Sequence, residues 1–158
     1  MHSFNEAFMP TIPDPVMSMA DVEAFLEREF PQMHHGGKHV HVEAIGHHSA
    51  RMRMTFQERH VRPGGTLSGP AMMALADFAL YAAILGALGP VALAVTTSLS
   101  FNFLRKPEPR DLLADCRLLK VGRQLVTGEV ALQSAGDPNL VCHAVGTYAI
   151  PRSGRVVS

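Results

Sequence analysis

The sequence carries no net charge: 14 Lys and Arg balance 14 Asp and Glu among 158 residues. Without a basic field it has no means of holding a nucleic acid or an anionic membrane surface. Charge of either sign is also scarce, at 18% of residues against about 25% in an average soluble domain. The two cysteines, Cys116 and Cys142, are too few for a disulfide framework and lack metal-ligand spacing. They are expected as reduced thiols packed in strands, which points to a cytoplasmic setting. The opening run MHSFNEAFMPTIPDPVMS lacks a basic start followed by an apolar stretch and does not read as a signal peptide. There is no internal repeat and no low-complexity tract. What is present is a chain of one-domain length, 47% hydrophobic, too apolar to remain disordered.

The few charges are unevenly placed. Fourteen lie at or before Arg62 and thirteen at or after Arg105, so the 42 residues from Pro63 to Leu104 contain one, Asp77. Burying a carboxylate costs several kcal/mol unless it is paired or hydrogen-bonded. Such groups concentrate at interfaces and active sites. A purely structural role, with Asp77 satisfied by hydroxyls such as those of Tyr81 or Thr96, is the competing reading.

Periodicity divides the chain into an irregular segment over 1–17, a single domain over 18–151 and a loose tail over 152–158. Ser18 opens an amphipathic helix whose stripe is Val22, Phe25, Leu26 and Phe30, ended by Pro31. A strand is expected from His39 to His47. A second follows in ARMRMTFQE, with Ala50, Met52, Met54 and Phe56 on one face. The Gly- and Pro-dense stretch VRPGGTLSGP reads as a structured loop. It leads into a helix from Pro70 to Leu88, ended by Gly89 and Pro90. That helix is apolar on every side, so it is wrapped either by protein or by lipid. Asp77 near its middle, Gly86 and Gly89 near its end, and the absence of flanking basic clusters favour protein. In LAVTTSLSFNFL, alternation places Val95, Leu99, Phe101 and Phe103 on one face and Thr96, Ser98, Ser100 and Asn102 on the other. Three more strands are expected over Asp111–Val121, Gln124–Ser134 and Leu140–Ile150, joined by connectors short enough for hairpins. Short hairpins exclude a parallel sheet. The economical fold is α+β, one antiparallel sheet of five to six strands curled around one long helix.

Gly64, Gly65 and Gly69 leave the backbone open where that helix begins, and unpaired helix N-terminal N–H groups can hold a polarised carbonyl oxygen. Pro70 has no N–H, which leaves Gly69 and Ala71 as donors. This end of the helix lies roughly 10–12 Å from Asp77 at 1.5 Å per residue. The two could act on one substrate only across two chains, which predicts a dimer.

The runs GGTLSGPAMMALADFALYAA and TTSLSFNFLRKP resemble the hotdog-fold acyl-CoA thioesterases of the PaaI, or phenylacetate-pathway, type, over roughly Val42 to Ile150. The family signature is an Asn, a Gly, then His-Gly-Gly, with Leu-Ala-Asp nine residues past the His. The resemblance implies thioester hydrolysis, with Asp77 as general base or nucleophile, Gly69 as the oxyanion donor from the partner chain, and Thr96 as the hydroxyl near the attacking water. It places Gly65 on the upstream Gly, and Arg105, Lys106, Gly122 and Arg123 where the family meets the phosphates of CoA. Arg62 stands where the family has Asn, Ser68 where it has His, and Pro70 where it has the second Gly. Ser68 can cap the helix or hydrogen-bond but cannot act as an imidazole. The resemblance also implies a homo-oligomer, usually a tetramer, and no cofactor beyond the CoA of the substrate.

The alternative to hydrolysis is a non-catalytic hotdog protein that binds acyl-CoA or a similar ligand. A dehydratase acting on hydroxyacyl thioesters is weaker, because Ser68 removes the obvious His. The nine histidines crowd His34, His35, His39, His41, His47 and His48 into one region. With only Glu43 at ligand spacing, they are expected as a solvated surface rather than a metal site. The adjacent Cys142 and His143 point to opposite faces of one strand and form no nucleophilic pair. The Gly64–Gly69 stretch lacks the Gly-Lys-Ser/Thr of a phosphate-binding P-loop.

Overall fold

Ser18 caps the first helix with a capping box: its side chain accepts from Asp21 N–H while the Asp21 carboxylate accepts from Ser18 N–H. This closes orphan donors that otherwise cost stability. The helix, α1, spans Met19–Glu29 and buries Val22, Phe25 and Leu26. In the computed structural model, which describes residues 11–152, the other α-helix and the strands are β1 (Val40–Gly46), β2 (Ser49–Met54), α2 (Gly69–Leu88), β3 (Val95–Phe103), β4 (Leu112–Val121), β5 (Leu125–Ser134) and β6 (Leu140–Ala149), with short 3-10 turns at Pro31–His34 and Glu58–His60. Residues 1–10 of the lead-in segment and 153–158 of the tail lie outside the described residues. Residues 11–17 form no helix or strand, but Val16 N–H donates to Gly86 O at 2.7 Å.

The six strands form one sheet in the order β1-β2-β4-β5-β6-β3, each neighbouring pair antiparallel. Its concave face wraps α2, the expected hotdog arrangement. Twelve residues of α2 are buried, with Leu75, Ala76, Ala79, Leu80, Ile84 and Leu85 at 0% exposure. The helix is long and apolar enough to cross a bilayer, yet the sheet supplies the apolar surroundings that its composition requires. Two glycines allow the close approach. Gly128 on β5 pairs with Gly146 on β6, and the δ-methyls of Leu80 lie over the pair. A Cβ at Gly128 would fall 2.8 Å from Leu80 Cδ2, and one at Gly146 would fall 2.7 Å from Leu80 Cδ1.

Among the described residues β3 pairs only with β6, which leaves its outer edge free, and it is far less buried than its sequence suggests: Val95 is 57% and Phe103 50% exposed. An exposed apolar edge is normally covered or paired. The register of β3 against β6 slips between Thr96 and Ser98. This bulge corrects the alternation read from the sequence. Thr96 pairs with inward-facing Tyr148 and Leu99 with Gly146, so Thr96 shares the helix-facing side with Leu99, and Val95 is turned away.

The histidine region also differs from the expected solvated surface. His39 is 7% exposed, with its ring 6.5 Å from that of His34 and 5.2 Å from that of His60. Arg59 donates to His39 Nδ1 at 3.0 Å, and the Nδ1 atoms of His34 and His60 are buried without a hydrogen-bond partner among the described residues. Among the described residues no group of three or more His, Cys, Asp or Glu is placed to hold a metal. Burial first, then the nearby Lys38 and His39, lowers the pKa of His34; burial, His39 and Arg59 lower that of His60. A histidine with a lowered folded-state pKa binds fewer protons folded than unfolded. Stability then falls as pH drops from about 7 through the unfolded-state value near 6.5. The melting temperature should therefore decline between about pH 7.5 and 5.5, and the double variant His34→Gln/His60→Gln should flatten that decline. An equal slope in the variant would show that these two residues do not carry it.

Candidate active site

Ser68 sets the start of α2. Its backbone is extended, with φ −74° and ψ 152°, the conformation favoured before a helix, and its Oγ accepts from Ala71 N–H at 3.3 Å. The helix begins at Gly69, one residue ahead of the sequence expectation, with Pro70 in the first turn. The cap decides between the two candidate donors: Ala71 N–H is engaged, while Gly69 N–H meets no acceptor among the described residues. Gly69 packs beside the Phe103 ring at the far end of β3. Ser68 N–H donates to His60 O at 2.8 Å, which fixes the loop against the helix.

Eight residues further along α2, about 12 Å at 1.5 Å per residue, Asp77 is half-buried. Its Oδ1 accepts from Thr96 Oγ1 at 2.7 Å and from the Tyr148 hydroxyl at 2.6 Å; that hydroxyl also lies 3.2 Å from Asp77 O. Oδ2 has no partner among the described residues. Of the two hydroxyls that a structural role suggests, Thr96 is present. Tyr81 is not: its hydroxyl donates to Ala92 O at 3.2 Å. Tyr148, 4% exposed, takes that place, and the sequence reading does not single it out. Its one signal is a polar-tipped aromatic in an inward position of β6, where a buried hydroxyl needs a partner. Burial and the adjacent Asp77 charge push the Tyr148 phenol far above the ordinary tyrosine range.

The sequence-predicted cations fall into two groups. Arg62, Arg105 and Lys106 line a cleft of about 500 Å³ with Gly69, Met72 and Phe103. Gly65 does not line it. Gly64 and Gly65, at φ +99° and +77°, form the turn in which Arg62 N–H donates to Thr66 O. Gly122 and Arg123 line a broader depression of about 1140 Å³ with Lys120 and Arg152. The two groups lie at opposite ends of the sheet. On β6, Cys142 neighbours Phe103 and Ala149 neighbours Val95 and Leu125, a separation of about 23 Å at 3.3 Å per residue. Gly69 accompanies the first group, and Asp77 and Thr96 lie towards the second. One chain therefore brings together Asp77, Thr96 and Tyr148 but not Asp77 and Gly69. Cys142 is fully buried, with its thiol pushed up to about 11, and His143 faces out towards Glu129 at 3.2 Å, so the pair is separated by the sheet.

A family model for the thioesterase superfamily matches residues 64–141, the stretch from the glycine turn to the start of β6. A solved structure from Silicibacter sp. TM1040, provisionally named a thioesterase, is 46% identical, with a TM-score of 0.79 over 88% of this chain and 95% of that one. The chain belongs to the thioesterase superfamily. A protein of Saccharolobus solfataricus provisionally named an esterase is 27% identical over 87% of this chain and 89% of its own length. The phenylacetic acid degradation protein PaaI of Thermus thermophilus, solved as a mutant, shares the fold. Its TM-score is 0.64 and its identity 23%, over 81% of this chain and 99% of that one. The carboxylate on the central helix and the open helix N-terminus are, by their chemistry, a group able to serve as base or nucleophile and a group able to donate to an oxyanion.

Proposed function

We propose that this protein hydrolyses an acyl-CoA thioester to the free acid and CoA, in a homodimer whose two active sites each draw on both chains. The observation that carries the reading is the Asp77 carboxylate, with Oδ1 held by Thr96 and Tyr148 and Oδ2 unpartnered among the described residues. A group fixed on one side and open on the other suits a general base for water, or a nucleophile on the carbonyl.

The open edge of β3 supports a dimer. Antiparallel pairing of this edge with its copy about a two-fold axis covers exposed apolar residues. It lays the Phe103 end of one strand against the Val95 end of the other. Gly69 of the partner then approaches Asp77, and its free N–H can receive the developing oxyanion. The same operation brings Arg62, Arg105 and Lys106 of one chain towards Gly122 and Arg123 of the other. That supplies cations from both sides for the phosphates of CoA. Pairing of two such dimers would complete a tetramer, and a cytoplasmic setting accords with the reduced, buried thiols.

The test is release of free thiol from short, long and aryl acyl-CoAs, with Asp77→Asn alongside. Turnover of any member of the panel that depends on Asp77 supports hydrolysis. Binding without turnover across the whole panel would identify an acyl-CoA-binding protein instead.

A further inference from the structure

Tyr148 is a buried ionisable group in contact with Asp77 to which the family resemblance gives no role. Three features fix its hydroxyl. The ring is stacked on Tyr81, with centroids 6.1 Å apart and planes 12° apart, and Tyr81 is itself anchored to Ala92 O. Tyr148 is paired in register with Thr96, so the two donors emerge side by side from neighbouring strands. Both converge on the same carboxylate oxygen, at 2.6 and 2.7 Å. Thr96 reaches this position only because of the β3 bulge, and its branched side chain has little rotamer freedom. A carboxylate oxygen has two lone-pair directions. Two donors on Oδ1 fill them and stop rotation of the carboxylate plane.

We propose that Tyr148 is a positioning residue for Asp77: with Thr96 it clamps Oδ1, so that Oδ2 alone is presented to the water or thioester carbonyl. This role rests on the hydrolytic reading above. It assigns the chemistry to one oxygen and makes a hydrogen bond from β6 part of the catalytic geometry.

Tyr148→Phe removes the hydroxyl while keeping the ring and its stack. A hydrogen bond to a charged group contributes enough that kcat should fall about ten- to a hundredfold, with KM changed less than about twofold. A merely structural tyrosine would leave kcat at the wild-type value once rates are corrected for folded protein. Fluorotyrosine at position 148 keeps the ring and returns the hydroxyl donor, so its kcat should stay within about twofold of wild type; a kcat as low as that of Tyr148→Phe would show that the hydroxyl is not what Asp77 needs. Wild-type kcat in Tyr148→Phe, beside an inactive Asp77→Asn, would overturn the role of Tyr148 and leave hydrolysis standing. Absence of thiol release by the wild type would overturn the hydrolytic reading and this role with it.

Discussion

Asp77→Asn should lower thiol release by about 10²–10⁴-fold, the usual contribution of a positioned acid–base group, while leaving the melting temperature close to that of the wild type. The substitution is nearly isosteric. The amide oxygen can still accept from Thr96 and Tyr148, which hold Oδ1 at 2.7 and 2.6 Å, so the helix and β6 keep their contacts. What disappears is the lone pair at Oδ2, replaced by an NH2 group that can neither take a proton from water nor attack a carbonyl. Substrate binding should be nearly unchanged, because the cations expected to meet phosphate lie elsewhere. A loss confined to KM would place Asp77 in binding rather than chemistry. Turnover equal to wild type would remove Asp77 from the mechanism while leaving the fold as described.

The largest stability effect is expected at Gly146. A Cβ there would lie 2.5 Å from Leu99 Cδ1, 2.7 Å from Leu80 Cδ1 and 3.2 Å from Ser98 O. Leu99 is partly buried on the edge strand and can yield. Leu80 is at 0% exposure, held between the helix and the Gly128–Gly146 pair, and cannot. Gly146→Val therefore forces α2 away from the sheet. Overpacking of this kind costs about 3 kcal/mol, equivalent to a fall in melting temperature of roughly 6–12 °C for a chain of this size. The cost should shrink in a Leu80→Ala background, where the added methyls occupy vacated space, giving a coupling of about 1–3 kcal/mol in a double-mutant cycle. Equal losses in both backgrounds would show that the helix does not rest on this glycine pair as described.

The architecture is largely legible in the sequence because it follows from local periodicity. The expected strand over Asp111–Val121 is β4 from Leu112, and the expected helix ends at Leu88 as observed. Asp77 can be singled out by charge arithmetic, since it is the one charged residue between Pro63 and Leu104. The contents of the site are less legible, for three physical reasons. Strict alternation assigns Thr96 to the wrong face, because a bulge changes the phase of a strand by one residue and leaves no mark in a run such as VTTSLS. Tyr148 escapes notice because its partner is distant in sequence and depends on how β6 pairs with β3, a non-local register. The histidine cluster is hidden because buried His39 and half-buried His34 and His60 gather from three separate segments, and composition alone suggests a polar surface. Gly128 and Gly146 likewise look ordinary until Leu80 is placed over them.

If each active site is shared between two chains, co-expression of two inactive variants should restore activity that neither has alone. Asp77→Asn removes the carboxylate. Gly69→Pro removes the free N–H at a position where proline is tolerated: Ser68 already has the extended backbone that precedes proline, and the nearest atoms to an added Cβ are 3.8 Å away. Each variant alone should be nearly inactive. With random pairing, about half the dimers are mixed, and each mixed dimer has one site with both groups intact and one with neither. Thiol release should therefore recover to about a quarter of the wild-type rate per chain. No recovery, with mixed dimers shown to be present, would mean that Asp77 and Gly69 act within the same chain or not together.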